Sequence, residues 1–345
     1  MIQYKKRTLQ FLGIFLICTI FQCHSQTSHC KDNMICIAFY NVENLFDTID
    51  NPQTNDQNFL PESSYQWNSE KYYKKIQNIS FAIATIGQKE TQNAPILIGL
   101  AEIENKNVLE DLINSPQLKK YNYGIVHFDS QDPRGIDVGL LYQKDRFKIF
   151  DSSVARTVVN SRDQLLVSGI LDKEDSLFIL INHWTSRISG TQKSEPKRIA
   201  SAQLARRTCD SLCQKHPNAK IIIMGDFNDN PSDISISQYL EAEGDTNKIN
   251  TSCQLYNPMY VLAQNGKGSS VYQKQWNLYD QIIISGNLLY KNKNGLHFVT
   301  AAIFDDEMLK QKKENYQDYP QRTITSNAYY GGYSDHFPIY ITLKK

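Results

Sequence analysis

Short apolar runs recur along the chain, and several stop abruptly at a carboxylate, a carboxamide or an imidazole. The sharpest is Ile221 to Met224, closed by Gly225 and followed by Asp226, Asn228 and Pro231. A continuous apolar run bounded by turn-forming residues is the pattern of a buried strand that ends at once. Residues 35–40, 95–100, 123–128, 136–142, 165–171, 177–182, 281–285 and 337–343 read as further strands. Ile76, Ile79, Ile83 and Ile86 recur at spacings of three and four, which lays them on one face of a helix that Gly87 ends. Ile199, Ala202, Ala205, Cys209 and Leu212 mark the inner stripe of a second helix, opened by Ser194 and Pro196, and residues 109–118 suit a short third one. Residues 47–69, 232–270 and 305–333 have no such period and read as irregular. A loop as long as the last is usually a functional lid or disordered.

The polar residues that end these runs form a regularity of their own. Asn41, Glu102, His183, Asp226 and Asn228 follow strands, whereas Asp280, Asp335 and His336 precede them. If the second group of strands runs antiparallel to the first, all of these residues gather on one edge of the sheets, where loops on a rigid scaffold carry function. Asp226 and Asn228 lie two apart in an extended segment and so face the same way. These positions run from 41 to 336, and a two-domain division would scatter them. One domain over residues 30–345 is expected.

Composition narrows the class. With 41% hydrophobic and 21% charged residues, the chain is globular and not disordered. Lys+Arg of 37 against Asp+Glu of 36 gives a net charge of +1, so any polyanion must be held by a local patch. Lys5, Lys6 and Arg7 precede an apolar run over residues 9–21 that is short for a membrane span. Residues 1–26 therefore read as a signal segment, cleaved near Ser25 or Gln26 or lipidated at Cys23. The protein is expected to be exported as a periplasmic, secreted or cell-surface lipoprotein, touching a membrane only through that terminus. Beyond the signal, Cys30, Cys36, Cys209, Cys213 and Cys253 make an odd count in an oxidising compartment, so at least one thiol lacks a partner within the chain. Cys209, Cys213 and His216 could be metal ligands on a helix; burial on its apolar face is the stronger reading.

The gathered residues have a chemistry. Glu102, Asp226, Asp280 and Asp335 are carboxylates that repel unless a cation joins them. Oxygen-rich ligation suits Mg2+ or Mn2+, with Ca2+ a further option, and not Zn2+. Two histidines beside a hard metal suggest proton transfer and oxyanion stabilisation, with Asp280 orienting His336. Such a set suits hydrolysis of a phosphate ester by in-line attack of water.

The segments YNVEN (40–44), LAEIEN (100–105), NHWTSR (182–187), MGDFND (224–229), LYDQIIIS (278–285) and GYSDHFP (332–338) resemble the endonuclease/exonuclease/phosphatase superfamily. Pancreatic-type deoxyribonuclease, abasic-site endonucleases, neutral sphingomyelinases and inositol-polyphosphate phosphatases belong to it. The resemblance implies a four-layer α/β/β/α sandwich of two mainly mixed sheets flanked by helices. Carried over by matching position, it implies that Glu102 is the principal metal ligand, with Asn41, Asp335 and Glu43 close by. Asp226 would orient or deprotonate the water, Asn228 would hold the phosphate, and His336 with Asp280 would form the catalytic dyad. His183 resembles the second histidine of the deoxyribonuclease branch, and Asn41 also borders the substrate. Arg134 and Arg187 are not superfamily motif residues; their loops lie on the same edge, so they are either phosphate contacts or ordinary surface arginines. Trp184 and Trp276 are expected to pack beside the site as core aromatics.

The resulting expectation is a metal-dependent phosphodiester hydrolase, in the first place an exported nuclease acting on nucleic acid as a monomer without a stable protein partner. The alternative is a phosphoesterase of lipid, inositol or nucleotide phosphates. Leu278-Tyr279-Asp280-Gln281 stands where inositol phosphatases carry Trp-Cys-Asp-Arg, which counts against that branch. No hairpin with exposed paired aromatics is evident, which counts against a membrane-acting sphingomyelinase. A non-catalytic binding protein on the same scaffold is the third reading.

Overall fold

A computed structural model describes residues 33–156, 162–289, 295–312, 316–326 and 328–345. The expected signal segment and Cys30 lie outside them. In chain order the strands are β1 (Met34–Leu45), β2 (Leu97–Ile103), β3 (Tyr123–His127), β4 (Asp137–Gln143), β5 (Phe147–Ala155), β6 (Gln164–Leu171), β7 (Asp175–His183) and β8 (Lys220–Asp226). There follow β9 (Ala242–Glu243), β10 (Leu255–Tyr256), β11 (Ser270–Tyr272), β12 (Gln275–Asn277), β13 (Asp280–Ser285), β14 (His297–Ile303), β15 (Ile324–Thr325), β16 (Ala328–Tyr329) and β17 (Ile339–Lys344). The helices are α1 (Ser69–Thr85), α2 (Gln88–Thr91), α3 (Lys106–Asn114), α4 (Thr191–Lys215), α5 (Met259–Gln264) and α6 (Gly286–Leu289). One sheet has the order β14-β17-β1-β2-β4-β3, the other β5-β6-β7-β8-β13-β10-β9. Three parallel pairs, β1 with β2, β7 with β8 and β9 with β10, make both sheets mixed.

Alternation along the strands sets the layers. Ile35, Ile37 and Phe39 of β1, Ile179 and Ile181 of β7, Ile222 and Met224 of β8, and Ile282 and Ile284 of β13 fill the space between the sheets. The intervening residues face outward. Cys36, Ala38 and Tyr40 pack on α1 through Ile76, Ile79 and Ile83, whereas Phe178, Leu180, Ile221 and Ile223 pack on α4 through Ala202, Ala205 and Cys209. Helix, sheet, sheet and helix form the four-layer sandwich. Central strands are buried on both faces, which is why they read as unbroken apolar runs. Burying each such side chain contributes about 1.5–3 kcal/mol.

Besides the short strands β9 to β12, β15 and β16, two longer strands lack the apolar run that marked the others. β5 and β14 are the outer strands of their sheets, and their exposed residues include Phe150, Asp151, Val299 and Thr300. Helix α4 begins at Thr191, ahead of the expected Ser194, and α3 begins at Lys106, where the Asn105 side chain caps it by accepting the Val108 N–H at 3.1 Å. Cys213 at the end of α4 is bonded to Cys253, while Cys36 and Cys209 are buried thiols. The Cys209–Cys213–His216 metal reading therefore falls, because one sulfur is in a disulfide. No helix among the described residues is long and apolar enough to cross a membrane.

Candidate active site

The inward columns of the core end in the polar residues of the site. β1 runs Ile35, Ile37, Phe39 and then Asn41; β7 runs Ile179, Ile181 and then His183; β8 runs Ile222, Met224 and then Asp226. In register, His183 stands opposite Asp226 on one side, and Asp280 stands opposite Asp226 on the other. Three functional side chains on adjacent strands thus share one face and one end of the sheet.

Glu102 arrives by a different route. Residues 42–44 of β1 stand opposite Glu102 alone, because the register shifts between Asn41 and Leu45. This bulge leaves Glu43, Asn44 and Glu102 with positive φ (52°, 50° and 66°), a strained backbone for side chains other than glycine. It also turns Glu102 toward the rim, where the Asn44 N–H donates to its Oε2 at 2.9 Å.

Asn41 joins the two sheets. Its Nδ2 donates to Glu102 Oε1 at 3.3 Å and to Asp226 Oδ2 at 3.1 Å. The Asn228 N–H donates to Asp226 Oδ1 at 2.9 Å, so both oxygens of Asp226 are fixed. Burial, and then the charges of Asp280 and Glu102, push the Asp226 carboxyl up to about 7, although His336 opposes them. Asn228 itself has φ 51° and donates its side-chain amide to the Trp184 carbonyl at 3.1 Å.

Asp280 and His336 meet as a pair, with Asp280 Oδ2 at 2.6 Å from His336 Nδ1. The Ser269 hydroxyl also donates to that oxygen. Burial alone would lower the His336 pKa, but Asp280, Asp335 and Asp226 raise it well above the ordinary imidazole value. His183 lies with Nε2 at 3.6 Å from Asp226 Oδ2 and 3.9 Å from Glu102 Oε1. Burial, and then Arg162 and Arg134, push its imidazole well below the ordinary value.

Several of the expected site residues have partners of their own. Glu43 turns away from this cluster: its Oε2 accepts the Thr323 N–H at 2.7 Å and lies 3.9 Å from Lys75 Nζ. Burial raises this carboxyl and lowers the lysine. Arg187 bonds to Asp229, Asp233 and the Asn228 carbonyl, so it braces the loop after β8. Asp335 pairs with Arg322, and its Oδ1 lies 4.0 Å from His336 Nε2. Burial would raise Asp335, but His336, Arg322 and Lys75 hold it below the ordinary carboxylate range. Trp184 is buried edge-on against Phe227, as expected of a core aromatic. Trp276, by contrast, is 37% exposed on the β11–β12 hairpin, stacked on Phe337 at 5.9 Å, and Tyr272 of the same hairpin is exposed as well. The hairpin belongs to neither main sheet, so only one of its faces has anything to pack against.

Residues that the sequence reading passed over complete the site. Lys75 donates to the Tyr333 carbonyl at 2.8 Å and to the Thr323 hydroxyl, and Asn78 donates to the Gly331 and Gly332 carbonyls, both at 2.9 Å. These contacts fasten the segment leading into Asp335 and His336. Lys75 sits among Tyr72, Ile76 and Ile79 on the apolar stripe of α1, and a charge on that stripe was the available signal. Arg162 lies in a loop, and nothing in its described neighbours marks it.

The donor set fits a divalent cation. It is mostly oxygens, burial and then like charges press Asp226 toward its neutral form, and Asp280 Oδ1 is buried without a hydrogen-bond partner among the described residues. Asp226, Asp280 and His336 offer ligand atoms within 4.8 Å of one another. Arg322 supplies the counter-charge to Asp335 and also acts on Glu43 and Glu102.

Comparison with known proteins agrees with this fold. The family model for the Endonuclease/Exonuclease/phosphatase family matches residues 36–345. No curated protein matches the chain by sequence. Among solved structures, TDP2 from D. rerio in complex with a single-strand DNA product is 15% identical with a TM-score of 0.55, covering 91% of this chain and 100% of that one. Mannosyl-6-phosphatase from Bacteroides thetaiotaomicron is 15% identical with a TM-score of 0.54, covering 90% and 100%. The human Nocturnin catalytic domain with bound sulfate is 16% identical with a TM-score of 0.52, covering 90% and 94%.

Proposed function

The chain belongs to the endonuclease/exonuclease/phosphatase family, and from that premise we propose that it is a divalent-metal-dependent phosphodiester hydrolase that cleaves nucleic acid outside the cytoplasm. Members of the family are phosphoester hydrolases and generally depend on a divalent metal. The observation that carries the hydrolytic reading is the convergence of Asn41, Glu102, His183, Asp226, Asp280 and His336 at one rim, with Asp226 poised at about 7. A base works best when its pKa lies near the working pH.

Glu102, its carboxylate fixed by Asn41, would hold the cation, and Asp335 stands beside His336 to assist. The cation would neutralise phosphate charge and help to generate the attacking water. Asp226, fixed by Asn41 and Asn228, accepts the water's proton. His336 is kept charged by Asp280 and donates to a non-bridging phosphate oxygen as charge builds there. His183 is kept neutral, and its buried Nδ1 has no hydrogen-bond partner among the described residues. The imidazole can therefore act as donor or acceptor toward the substrate.

The fold hosts more than one substrate: the TDP2 structure holds a DNA product, whereas another neighbour is a sugar phosphatase. Nucleic acid is favoured here by Arg134 and Arg162 beside His183, which form a local cationic patch on a chain of nearly zero net charge. A lipid phosphodiester is the second reading, favoured by the exposed Tyr272 and Trp276 of the hairpin. Export is supported by the basic and apolar N-terminal pattern and by the Cys213–Cys253 disulfide.

The test is a substrate panel for the protein purified from Thr27 onward. Single- and double-stranded DNA, RNA, sphingomyelin vesicles, inositol phosphates and p-nitrophenyl phosphate are each incubated in Mg2+ or Mn2+, with and without chelator. Nucleic acid should be hydrolysed fastest, and only with metal. Intact nucleic acid beside turnover of a lipid or a monoester would overturn the nuclease assignment. Periplasmic or extracellular fractionation with N-terminal sequencing tests export, and an intact Met1 on a cytoplasmic protein defeats it.

A further inference from the structure

The charges around the rim are not evenly matched. Arg322 has Asp335, Lys75 has Glu43, and Arg187 has both Asp229 and Asp233. At the His183 end the ratio reverses. Arg162 Nε donates to Asp132 Oδ2 at 2.9 Å, and Arg134 Nε lies 3.7 Å from Oδ1 of the same carboxylate. Two guanidinium groups share one carboxylate, leaving a surplus positive charge.

The placement of this surplus follows from strand register. β6 pairs antiparallel with β7, with Leu165 opposite Ile181, so continuing the ladder sets Arg162 opposite Trp184. Arg162 Nη1 donates to the Trp184 carbonyl at 2.9 Å, the same oxygen that accepts from Asn228 Nδ2. Along the rim the order is therefore Arg162, His183, Asp226, Asp280. Neighbouring strands lie about 4.8 Å apart, so the base of Arg162 stands about two such spacings from Asp226. Its charge reaches Glu102, Asp226 and His183.

Arg134 is held ready on a built turn. Its N–H donates to Asp132 Oδ1 at 2.9 Å, the Gly135 N–H donates to the Asp132 carbonyl at 2.8 Å, and Gly135 takes φ 68° with Thr54 packed against it. Asn55 N–H donates to the Pro133 carbonyl at 2.8 Å, which ties the turn to the loop after β1. The Arg134 side chain remains 46% exposed, so it can meet a ligand without unfolding anything.

We propose that Arg134, backed across Asp132 by the buried charge of Arg162 at the His183 end of the rim, forms a second phosphate site that holds the phosphate next to the one being hydrolysed. This subsite deepens the nucleic-acid reading and rests on it. It makes the substrate an anion with two phosphates one nucleotide apart, and it sets the direction in which the strand lies, from Arg162 toward Asp280. Guanidinium groups suit the role because they bind phosphate through paired N–H donors.

The experiment is calorimetric binding, in Mg2+, of adenosine 3′,5′-bisphosphate and of adenosine 5′-monophosphate to wild type, Arg134→Ala and Arg162→Lys. Wild type should bind the bisphosphate about tenfold more tightly than the monophosphate. Both variants should lose most of that ratio, and the salt dependence of bisphosphate binding should fall by about one phosphate contact. Equal affinity of wild type for the two ligands overturns the proposal, as does an Arg134→Ala variant that weakens both equally. Should Arg162→Lys fail to fold because the Trp184 carbonyl loses a donor, Arg134→Ala on the exposed turn decides alone. The nucleic-acid reading is scored separately by oligonucleotide hydrolysis. If oligonucleotides survive while the Arg134-dependent ratio holds, that reading fails and the subsite stands.

Discussion

His336 and His183 occupy the two ends of one rim, and their surroundings drive them apart. His336 lies among Asp280, Asp335 and Asp226, and these carboxylates raise its pKa against the effect of burial. His183 is buried with Arg162 and Arg134 nearby, and both influences lower it. Two identical side chains on one rim are thus divided into a charged donor and a neutral partner by their neighbours alone. Environments that separate the titration of paired groups are how one site runs acid and base chemistry at a single pH. The carboxylate-rich end suits the transition-state charge, and the guanidinium-rich end suits the anionic substrate.

The hardest blow to this division is at the charged end. His336→Ala should lower kcat by about a thousandfold. Asp280→Asn should also lower it strongly, and the double variant should be little worse than the poorer single one, because the pair acts as a unit. Losses that multiply would show the two residues working separately. Chelation should abolish turnover in every variant, and Mg2+ or Mn2+ should restore it in wild type.

Next in size is the support beneath that end. Lys75→Met leaves Glu43 buried without its cation and frees the segment that Lys75 and Asn78 fasten. Stability should fall by about 3–5 kcal/mol in denaturant titration. A change under ~1 kcal/mol would mean the buried pair adds little beyond what a methionine supplies.

A pH series separates the ends by sign. His336 has a folded pKa above its unfolded value, so its contribution is complete below the ordinary imidazole value of 6.5 and is lost as pH rises through the higher folded value. His183 has a folded pKa below its unfolded value, so its contribution is complete above 6.5 and is lost as pH falls through the lower folded value. In chelator, melting temperature against pH should lose its alkaline component in His336→Gln and its acid component in His183→Gln. Same-sided changes in both variants would remove the distinction. The smallest effect belongs to Arg134→Ala. Removing one of the two guanidinium groups should let His183 titrate nearer 6.5 and soften the acid loss slightly.

Much of this was legible in the sequence, for a physical reason. Asn41, His183 and Asp226 each end an apolar column, so a polar residue closing a buried run marked both strand and site. β5 and β14 were missed because an outer strand is half-solvated and has no unbroken apolar run to show. Glu43 follows β1's apolar run closely, and only the bulge opposite Glu102 reveals which way it turns. Arg187 looked available because its partners Asp229 and Asp233 lie more than forty residues away. Trp276 looked like core because an aromatic residue is ordinarily buried, and its hairpin has no second layer over it. Arg162 gave no sign at all, since its meaning lies in Asp132 and Trp184 on other elements.

The pairing of β1 with β17, Met34 opposite Lys344, has a consequence for how the molecule comes into being. The strand that carries Asn41 emerges first from the ribosome, and the central position between β2 and β17 that it occupies cannot close until the last strand has been made. Contacts of such sequence separation carry a large loop-closure entropy and form late. A nascent or interrupted chain therefore holds the two halves of its chemistry apart, and hydrolytic competence switches on only with completion of the sheet. For a hydrolase of phosphate esters, that delay is written into the topology.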